Sequence, residues 1–196
     1  MKRFFDFTVS LLLIIVLMPV FLIIALIVLV DSGSPVIFKQ YRVGKDNKLF
    51  YIYKFRTMKV NTRNASTDDL VEAESVITKS GRILRKTSLD ELPQLFNVLT
   101  GKMSFVGPRP LIPEEKEIRQ IRKEYNVYSV RPGITGLAQV NGRDMLGAKE
   151  KALFDKEYVE KQSILLDIKI MFKTVMVVIK RENISEGGEA NNSRKV

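Results

Sequence analysis

The sequence predicts an α+β, mainly helical protein in which an apolar N-terminal segment holds a basic domain against a membrane. Two observations support this fold class: no residue between Phe7 and Val30 is charged, and a long helical pattern near the C-terminus follows a region with only short strand-like stretches. Of the 196 residues, those after residue 30 are enough for one domain with a sizeable core. We therefore predict a membrane helix over 1–30, one domain over 31–181 and a polar, disordered tail over 182–196.

The apolar segment is long enough to cross a bilayer, which takes about 20 helical residues. Its flanks argue against a straight span, because basic residues precede it (Lys2 and Arg3) and others follow it: Lys39, Arg42, Lys45 and Lys48. Positive charge marks the cytoplasmic side of a membrane, so both ends are expected there. Pro19, near the middle, removes one helical hydrogen bond. These features favour a monotopic, re-entrant helix bent at Pro19, with an ordinary span that tolerates its proline as the alternative.

The composition narrows the chemistry that the domain can perform. The chain has no cysteine and no histidine, which excludes thiolate chemistry and the usual general base. Its formal net charge of +10 suits an anionic membrane surface, an anionic substrate, or both. Because the sequence has no zinc-finger spacing, basic zipper or RNA-binding aromatic motif, we do not expect nucleic acid as a partner.

A strand is predicted from Leu49 to Met58, where side chains alternate between two faces. Lys54 and Arg56 would lie about 7 Å apart on one face, which they share with Phe50 and Ile52. Taken alone, this pattern is more typical of an exposed edge strand with protective charges than of a binding site.

Helical patterns are predicted over Asp69–Leu84, Leu111–Tyr125 and Ala148–Arg181, the last with a break near Ser163. The second half of the last helix is amphipathic, and two interpretations remain open: packing on the domain core, or lying in the membrane interface. The glycines and proline of Arg131–Asn141 predict a loop there.

The segment Thr87-Ser88-Leu89-Asp90-Glu91-Leu92-Pro93 holds the candidate catalytic groups. Ser88 and Glu91 fit a capping box, but Pro93 would then fall inside the helix. If Asp90 is the N-cap, Pro93 falls at the third helical position, where no donor is needed. The adjacent carboxylates of Asp90 and Glu91 suit three roles: binding Mg²⁺, attacking a phosphorus, or capping a helix.

Arginines surround this pair of carboxylates along the sequence. Arg85 lies just upstream, and rigid Pro- and Gly-containing loops present Arg109 and Arg131. Rigid arginines suit phosphate oxygens better than lysine does. Carboxylates, Mg²⁺ and arginines together are typical of phosphoryl transfer by positioning and charge stabilisation.

Five ordered segments carry a resemblance to a known family: Gly33–Phe38, Lys54–Met58, Arg85–Gln94, Met103–Pro110 and Arg131–Gly136. With them the chain resembles the bacterial polyprenyl-phosphate phosphoglycosyl transferases of the bacterial sugar transferase family, and more closely their small monotopic members. The resemblance runs from the N-terminus to about residue 181.

The resemblance implies a reaction, a site and a location. The family transfers a sugar-1-phosphate from a UDP-sugar to undecaprenyl phosphate and releases UMP, at the cytoplasmic face of the bacterial inner membrane. It implies that Asp90 is the nucleophile of a covalent phosphosugar intermediate and that Glu91 supports the site, with both as ligands of Mg²⁺. It also places the remaining predicted substrate-binding residues near the phosphates or the nucleotide: Lys54, Arg56, Arg85, Arg109, Arg131 and Thr135. The transferred sugar, the glycan pathway and the oligomeric state are not predicted.

Two rival functions follow from the same sequence. A non-enzymatic, membrane-docked scaffold accounts for the apolar segment and the positive charge, since each cation near anionic lipid contributes about 1 kcal/mol. It does not account for an Asp-Glu pair between rigid arginine loops. The second rival is an enzyme of the same fold that has lost its donor site, which a panel of UDP-sugars would reveal.

Overall fold

A computed structural model describes residues 1–60, 76–142 and 145–180 of the chain. Within these residues the protein is mainly helical, with two small two-stranded sheets, which confirms the mainly helical α+β part of the predicted fold class. The predicted tail over 182–196 lies outside the described residues.

The N-terminal helix α1 runs from Lys2 to Ser32 and ends at Gly33, whose φ of 76° is left-handed. It is long and apolar enough to cross a membrane. One stripe, at spacings of three to seven residues, is buried against the domain: Asp6, Ser10, Ile14, Phe21, Ile24 and Val28. The opposite side exposes large apolar side chains, among them Ile15, Val16, Leu22 and Leu26. Pro19 stands within this helix, and its bending within one leaflet stays a prediction.

A hairpin follows, formed by β1 (Ile37–Val43) and β2 (Leu49–Phe55) around a 3₁₀ turn at Lys45–Asn47. The two strands are antiparallel. Phe50 and Ile52 are buried, and Lys54 shares their face as the sequence predicts. The strand ends at Phe55, three residues earlier than predicted, so Arg56 lies beyond it.

Helix α2 covers Lys79–Lys86, and the Thr78 hydroxyl caps it by accepting from the Gly81 amide at 2.9 Å. The predicted start at Asp69 lies outside the described residues, and Ile77 forms a β-bridge with Met58 instead of extending the helix. A 3₁₀ turn at Leu89–Glu91 precedes α3 (Gln94–Leu99), with Pro93 at its N-cap. The prediction that Asp90 is the N-cap of this helix is therefore wrong. The α-helix begins directly after Pro93, a position where the missing amide hydrogen of proline costs no helical hydrogen bond.

The second sheet pairs β3 (Ser104–Val106) with β4 (Gly133–Thr135) in parallel. Between them lie α4 (Lys116–Glu124), shorter at its start than predicted, and a 3₁₀ turn at Val127–Ser129. The predicted loop from Arg131 to Asn141 is wrong, because β4 and the short helix α5 (Leu137–Val140) form there. Its glycines serve close backbone approach: a Cβ on Gly133 would lie 2.1 Å from the Gly107 amide nitrogen.

The C-terminal pattern forms two helices, α6 (Ala148–Glu160) and α7 (Ile164–Lys180), which confirms the break near Ser163. One side of α7 packs on the core through Leu166 and Ile170. The other side exposes apolar side chains: Leu165, Ile168, Phe172 and Val175. Core packing is thus confirmed for one face of α7, and a place in the membrane interface stays a prediction for the other.

Candidate active site

The carboxylate pair lies on the 3₁₀ turn between α2 and α3. Ser88, with a left-handed φ of 56°, reverses the chain after α2 and starts this turn. Asp90 is buried, with 6% of its surface exposed. Glu91 Oε1 forms an ion pair of 2.7 Å with Lys54 Nζ on β2, and both side chains are largely buried. The structure therefore joins the predicted catalytic pair to one predicted phosphate-binding residue.

Opposing influences set the protonation of Asp90. Burial raises the pKa of Asp90 above its ordinary value, and the like charge of Glu91 acts in the same direction. The positive charges of Lys54 and Arg85 lower that pKa. Arg85, on α2, is itself partly buried, and burial lowers the pKa of its guanidinium while Asp90 raises it. An anionic Asp90 thus depends on two cations from two different elements.

A cleft opens beside this turn and encloses about 230 Å³ of space continuous with solvent. Its charged lining residues come from separate elements: Arg42 from β1, Lys54 from β2, Glu91 from the 3₁₀ turn and Arg109 from the loop after β3. Its remaining walls are Ile52, Gln94, Pro110, Gly133 and Ile134. Three cations around one carboxylate make this a cleft suited to an anionic ligand with several oxygens.

Two arginine side chains bind the backbone of the loop that carries Arg109. Arg122 Nη1 donates to the Arg109 carbonyl at 2.8 Å, and Arg122 forms a buried ion pair of 2.5 Å with Asp155. Arg42 Nη1 donates to the neighbouring Pro110 carbonyl at 3.2 Å. The start of the loop also lies close to the chain just before β4, since a Cβ on Gly107 would lie 2.4 Å from the Arg131 carbonyl oxygen. These contacts hold the loop where Arg109 lines the cleft.

Arg42 is a cleft residue that sequence reasoning missed, because it was counted only as a basic flank of the membrane segment. Burial lowers the pKa of Arg42 to about 10, and the positive charge of Arg109 acts in the same direction. Its Nη2 donates to Gln40 Oε1 at 2.7 Å, while its buried Nε has no hydrogen-bond partner among the described residues. The alternation of the hairpin could have revealed its place in the cleft, because Arg42 pairs with Phe50, and Phe50 shares a face with Lys54.

Four predicted substrate-binding residues are not among those that line the cleft: Arg85, whose charge acts on Asp90, and three others with contacts elsewhere in the fold. Arg56 is buried and donates from Nη2 to the Ser32 carbonyl at 2.7 Å and to that of Gly33, so it holds the end of α1. Arg131 Nε donates to the Gly101 carbonyl at 2.8 Å. The Thr135 hydroxyl lies 2.7 Å from that of Thr174 on α7. Each has a structural contact, and a role in binding substrate stays a prediction.

The carboxylate pair also bears on metal binding. Across residues 1–60, 76–142 and 145–180, no group of three or more acidic side chains is placed to hold a metal ion. Mg²⁺, however, commonly binds one or two carboxylates and completes its shell with water and substrate phosphates. Asp90 and Glu91 are adjacent, and their mutual repulsion is one cause of the raised pKa of Asp90. The donor set therefore fits Mg²⁺ bound together with a phosphate ligand.

Comparison with known proteins places the chain in a family. The family model described as bacterial sugar transferase matches residues 1–181. The chain belongs to the bacterial sugar transferase family. The match covers α1, both sheets and the cleft, so membrane helix and domain form one family unit.

Among bacterial sugar transferases, three curated relatives illustrate the range. An uncharacterized sugar transferase, EpsL, of Bacillus subtilis (strain 168) is 41% identical over 99% of this chain and 95% of its own length. The UDP-glucose:undecaprenyl-phosphate glucose-1-phosphate transferase of Escherichia coli (strain K12) is 44% identical, over 89% of this chain and 39% of its own length. The undecaprenyl-phosphate galactose phosphotransferase of Salmonella typhimurium is 40% identical, over 93% and 41%. The chain thus spans about two fifths of the length of the last two relatives.

Proposed function

We propose that this protein transfers a sugar-1-phosphate from a UDP-sugar to undecaprenyl phosphate and releases UMP. The observation that carries the proposal is the buried Asp90 carboxylate, placed between two cations and beside a cleft lined by three. Two relatives named for glucose and galactose transfer to undecaprenyl phosphate support the choice of donor and acceptor.

The proposed mechanism has two steps at one phosphorus atom. A carboxylate oxygen of Asp90 attacks the phosphorus that bears the sugar, and the bond to the UMP oxygen breaks with its electron pair leaving on UMP. A phosphate oxygen of the lipid then attacks the same phosphorus, and the bond to Asp90 breaks, which restores the carboxylate. Lys54, Arg42 and Arg109 bind the phosphate oxygens and stabilise the charge that builds up on them.

We further propose that Asp90 and Glu91 hold Mg²⁺ during the reaction. When bound, the cation would polarise the phosphoryl oxygens and reduce their repulsion with the carboxylates. The contribution of the chain itself is the rigid 3₁₀ turn that fixes both carboxylates, and Lys54, which keeps the Glu91 carboxylate oriented into the cleft.

The contacts at the two ends of α1 support a re-entrant helix at the cytoplasmic face. At its start, Lys2 Nζ lies 2.5 Å from Asp167 of α7. At its end, Asp31 Oδ2 accepts from the Ser80 amide of α2 at 2.8 Å. Both ends therefore touch one domain, which suits a helix that enters and leaves the same leaflet.

Cysteine labelling tests this topology, because the chain has no cysteine of its own. Thiols introduced just before Lys2 and at exposed Lys48 should react from the same side of sealed vesicles. Reaction from opposite sides would refute this topology.

The replacement of Asp90 by asparagine tests the reaction, because it keeps the shape of the side chain and removes the nucleophile. In Asp90→Asn, UMP release from a panel of UDP-sugars with undecaprenyl phosphate should disappear, together with any covalent sugar-phosphate adduct. Asp46→Asn is the matched control, since it makes the same change at an exposed hairpin turn.

Normal turnover by Asp90→Asn would refute the nucleophile assignment. No UMP from any UDP-sugar with the unchanged protein would instead favour a scaffold or an enzyme without a donor site. Omitting Mg²⁺ and adding a chelator should abolish turnover, and undiminished turnover would refute the metal proposal.

A further inference from the structure

The first turns of α1 contact the outer edge of β3. On its inner edge, β3 pairs with the chain around β4, where the Ser104 amide donates to the Pro132 carbonyl at 2.9 Å. On its outer edge, the Phe105 amide donates to Asp6 Oδ1 at 3.3 Å, and the Val106 carbonyl accepts from Lys2 Nζ at 3.1 Å and from the Tyr158 hydroxyl of α6 at 2.9 Å. Side chains of the membrane helix thus occupy the place of a neighbouring strand.

These contacts are buried and mutually supported. Lys2 and Asp6 are four residues apart on α1 and lie on one side of the helix. Asp6 is 2% exposed and also accepts from the Ser104 hydroxyl at 3.1 Å. Lys2 Nζ also contacts Asp167 at 2.5 Å and the Tyr158 hydroxyl at 3.1 Å, so it is fixed by two further helices.

The strand edge lies next to the cleft along the chain. Val106, which Lys2 contacts, is three residues before Arg109, and only Gly107 and Pro108 intervene. With two prolines flanking Arg109, the loop has little freedom of its own. A displacement of β3 is therefore passed directly to the arginine that lines the cleft.

We propose that Lys2 and Asp6 are positioning residues for Arg109. By completing the edge of β3, the first turns of the membrane helix set where Arg109 stands in the cleft. The way in which α1 is seated in the membrane is thereby coupled to the geometry of the anion-binding cleft. The proposal rests on the proposed function for the role of Arg109 in turnover, but the coupling itself is independent of that role.

Amide hydrogen exchange in lipid nanodiscs tests the coupling without any reaction. Lys2→Met should accelerate exchange about tenfold or more in a peptide spanning 104–111, because the edge of β3 loses a partner. Arg3→Met is the matched control: it removes the same charge from the same helical turn, but Arg3 donates to the Val98 and Leu99 carbonyls at the end of α3. Asp6→Asn is a second, milder variant that should act in the same direction.

Unchanged exchange in 104–111 for both Lys2→Met and Asp6→Asn would overturn the proposal. Equal acceleration in Arg3→Met, or acceleration spread to peptides of α2, which packs at the other end of α1, would also overturn it, because the contacts would then serve general stability only.

Turnover measurements provide a second test. They form a double-mutant cycle that compares Lys2→Met, Arg109→Ala and the variant that carries both substitutions. Lys2→Met should lower kcat/KM for the UDP-sugar about 10- to 100-fold through misplacement of the arginine. The double variant should be no slower than Arg109→Ala alone, because Lys2 acts through Arg109. Multiplied losses would overturn the positioning role. If the unchanged protein releases no UMP, the proposed function fails, and the exchange measurement still decides the coupling.

Discussion

Replacing Asp155 with asparagine tests how firmly the loop of Arg109 is held. Asp155 lies on α6 and forms an ion pair with Arg122 of α4, whose guanidinium also donates to the Arg109 carbonyl. The two side chains are only 1% and 4% exposed. The asparagine variant keeps the shape but leaves a buried guanidinium without its counter-charge.

The burial of this pair sets the size of the effect. Removing one partner of a buried ion pair costs about 3–5 kcal/mol, whereas an exposed pair contributes about 0.2–1 kcal/mol. In a chain of this size, 1 kcal/mol corresponds to about 2–4 °C in Tm. We therefore expect Asp155→Asn to lower Tm by about 6–20 °C.

The assay is thermal unfolding in lipid nanodiscs at one fixed scan rate, with turnover measured well below the transition. The matched control is Glu157→Gln, which breaks an exposed pair with Lys161 on the same helix and should shift Tm by less than about 4 °C. A double variant, Arg122→Met with Asp155→Leu, removes both charges and should recover most of the stability but not the Arg109 support, so turnover should stay low. A Tm of Asp155→Asn within about 2 °C of the unchanged protein would refute the reasoning.

Three further predictions concern the cleft and its backbone. Lys54→Met should move the acidic limb of the pH profile of kcat/KM to higher pH, because Lys54 lowers the pKa of Asp90 and the nucleophile must be ionised; an unmoved limb would contradict this. Arg42→Gln should raise KM for the UDP-sugar about 10- to 100-fold, the loss expected for charge-assisted hydrogen bonds to phosphate, and an unchanged KM would exclude Arg42 from binding. Gly133→Ala should lower Tm by several degrees, because its Cβ would overlap the Gly107 amide, whereas Gly147→Ala, with no atom closer than 3.6 Å, should not.

Local patterns predicted the elements whose sequence signal is strong. The uncharged run gave α1, the alternation around Ile52 gave β2, and the break near Ser163 separated two amphipathic helices. Strand alternation also placed Lys54 on one face with Phe50 and Ile52, but its pairing with Glu91 was not predicted, because the alternation alone is more typical of an exposed edge strand. The predicted features are those that a few neighbouring residues determine.

Features that depend on distant partners were not predictable in the same way. The glycines around Gly133 indicated a loop, since no local signal reports that β3 lies alongside and requires a backbone without side chains. Lys2 and Arg3 were interpreted only as a basic flank that marks the cytoplasmic side, whereas they bind groups 95 to 165 residues away. Arg56 was predicted to bind substrate, and its contact with carbonyls at the end of α1 was not foreseen, because those carbonyls are distant in the sequence.

The contact between Lys2 and Asp167 also constrains how the protein is made. The partners are separated by 165 residues, and at synthesis rates of about 5–20 residues per second the second appears on the order of ten seconds or more after the first. During that interval Lys2 lacks the carboxylate that neutralises it, although the Ser104 and Phe105 groups that bind Asp6 are already synthesised. Completion of α7 then allows the first turn of α1 to bind the last described helix. A chain that stops before Asp167 would leave Lys2 without its ion-pair partner at the start of the membrane helix. Incomplete and complete molecules would therefore differ at this end of α1.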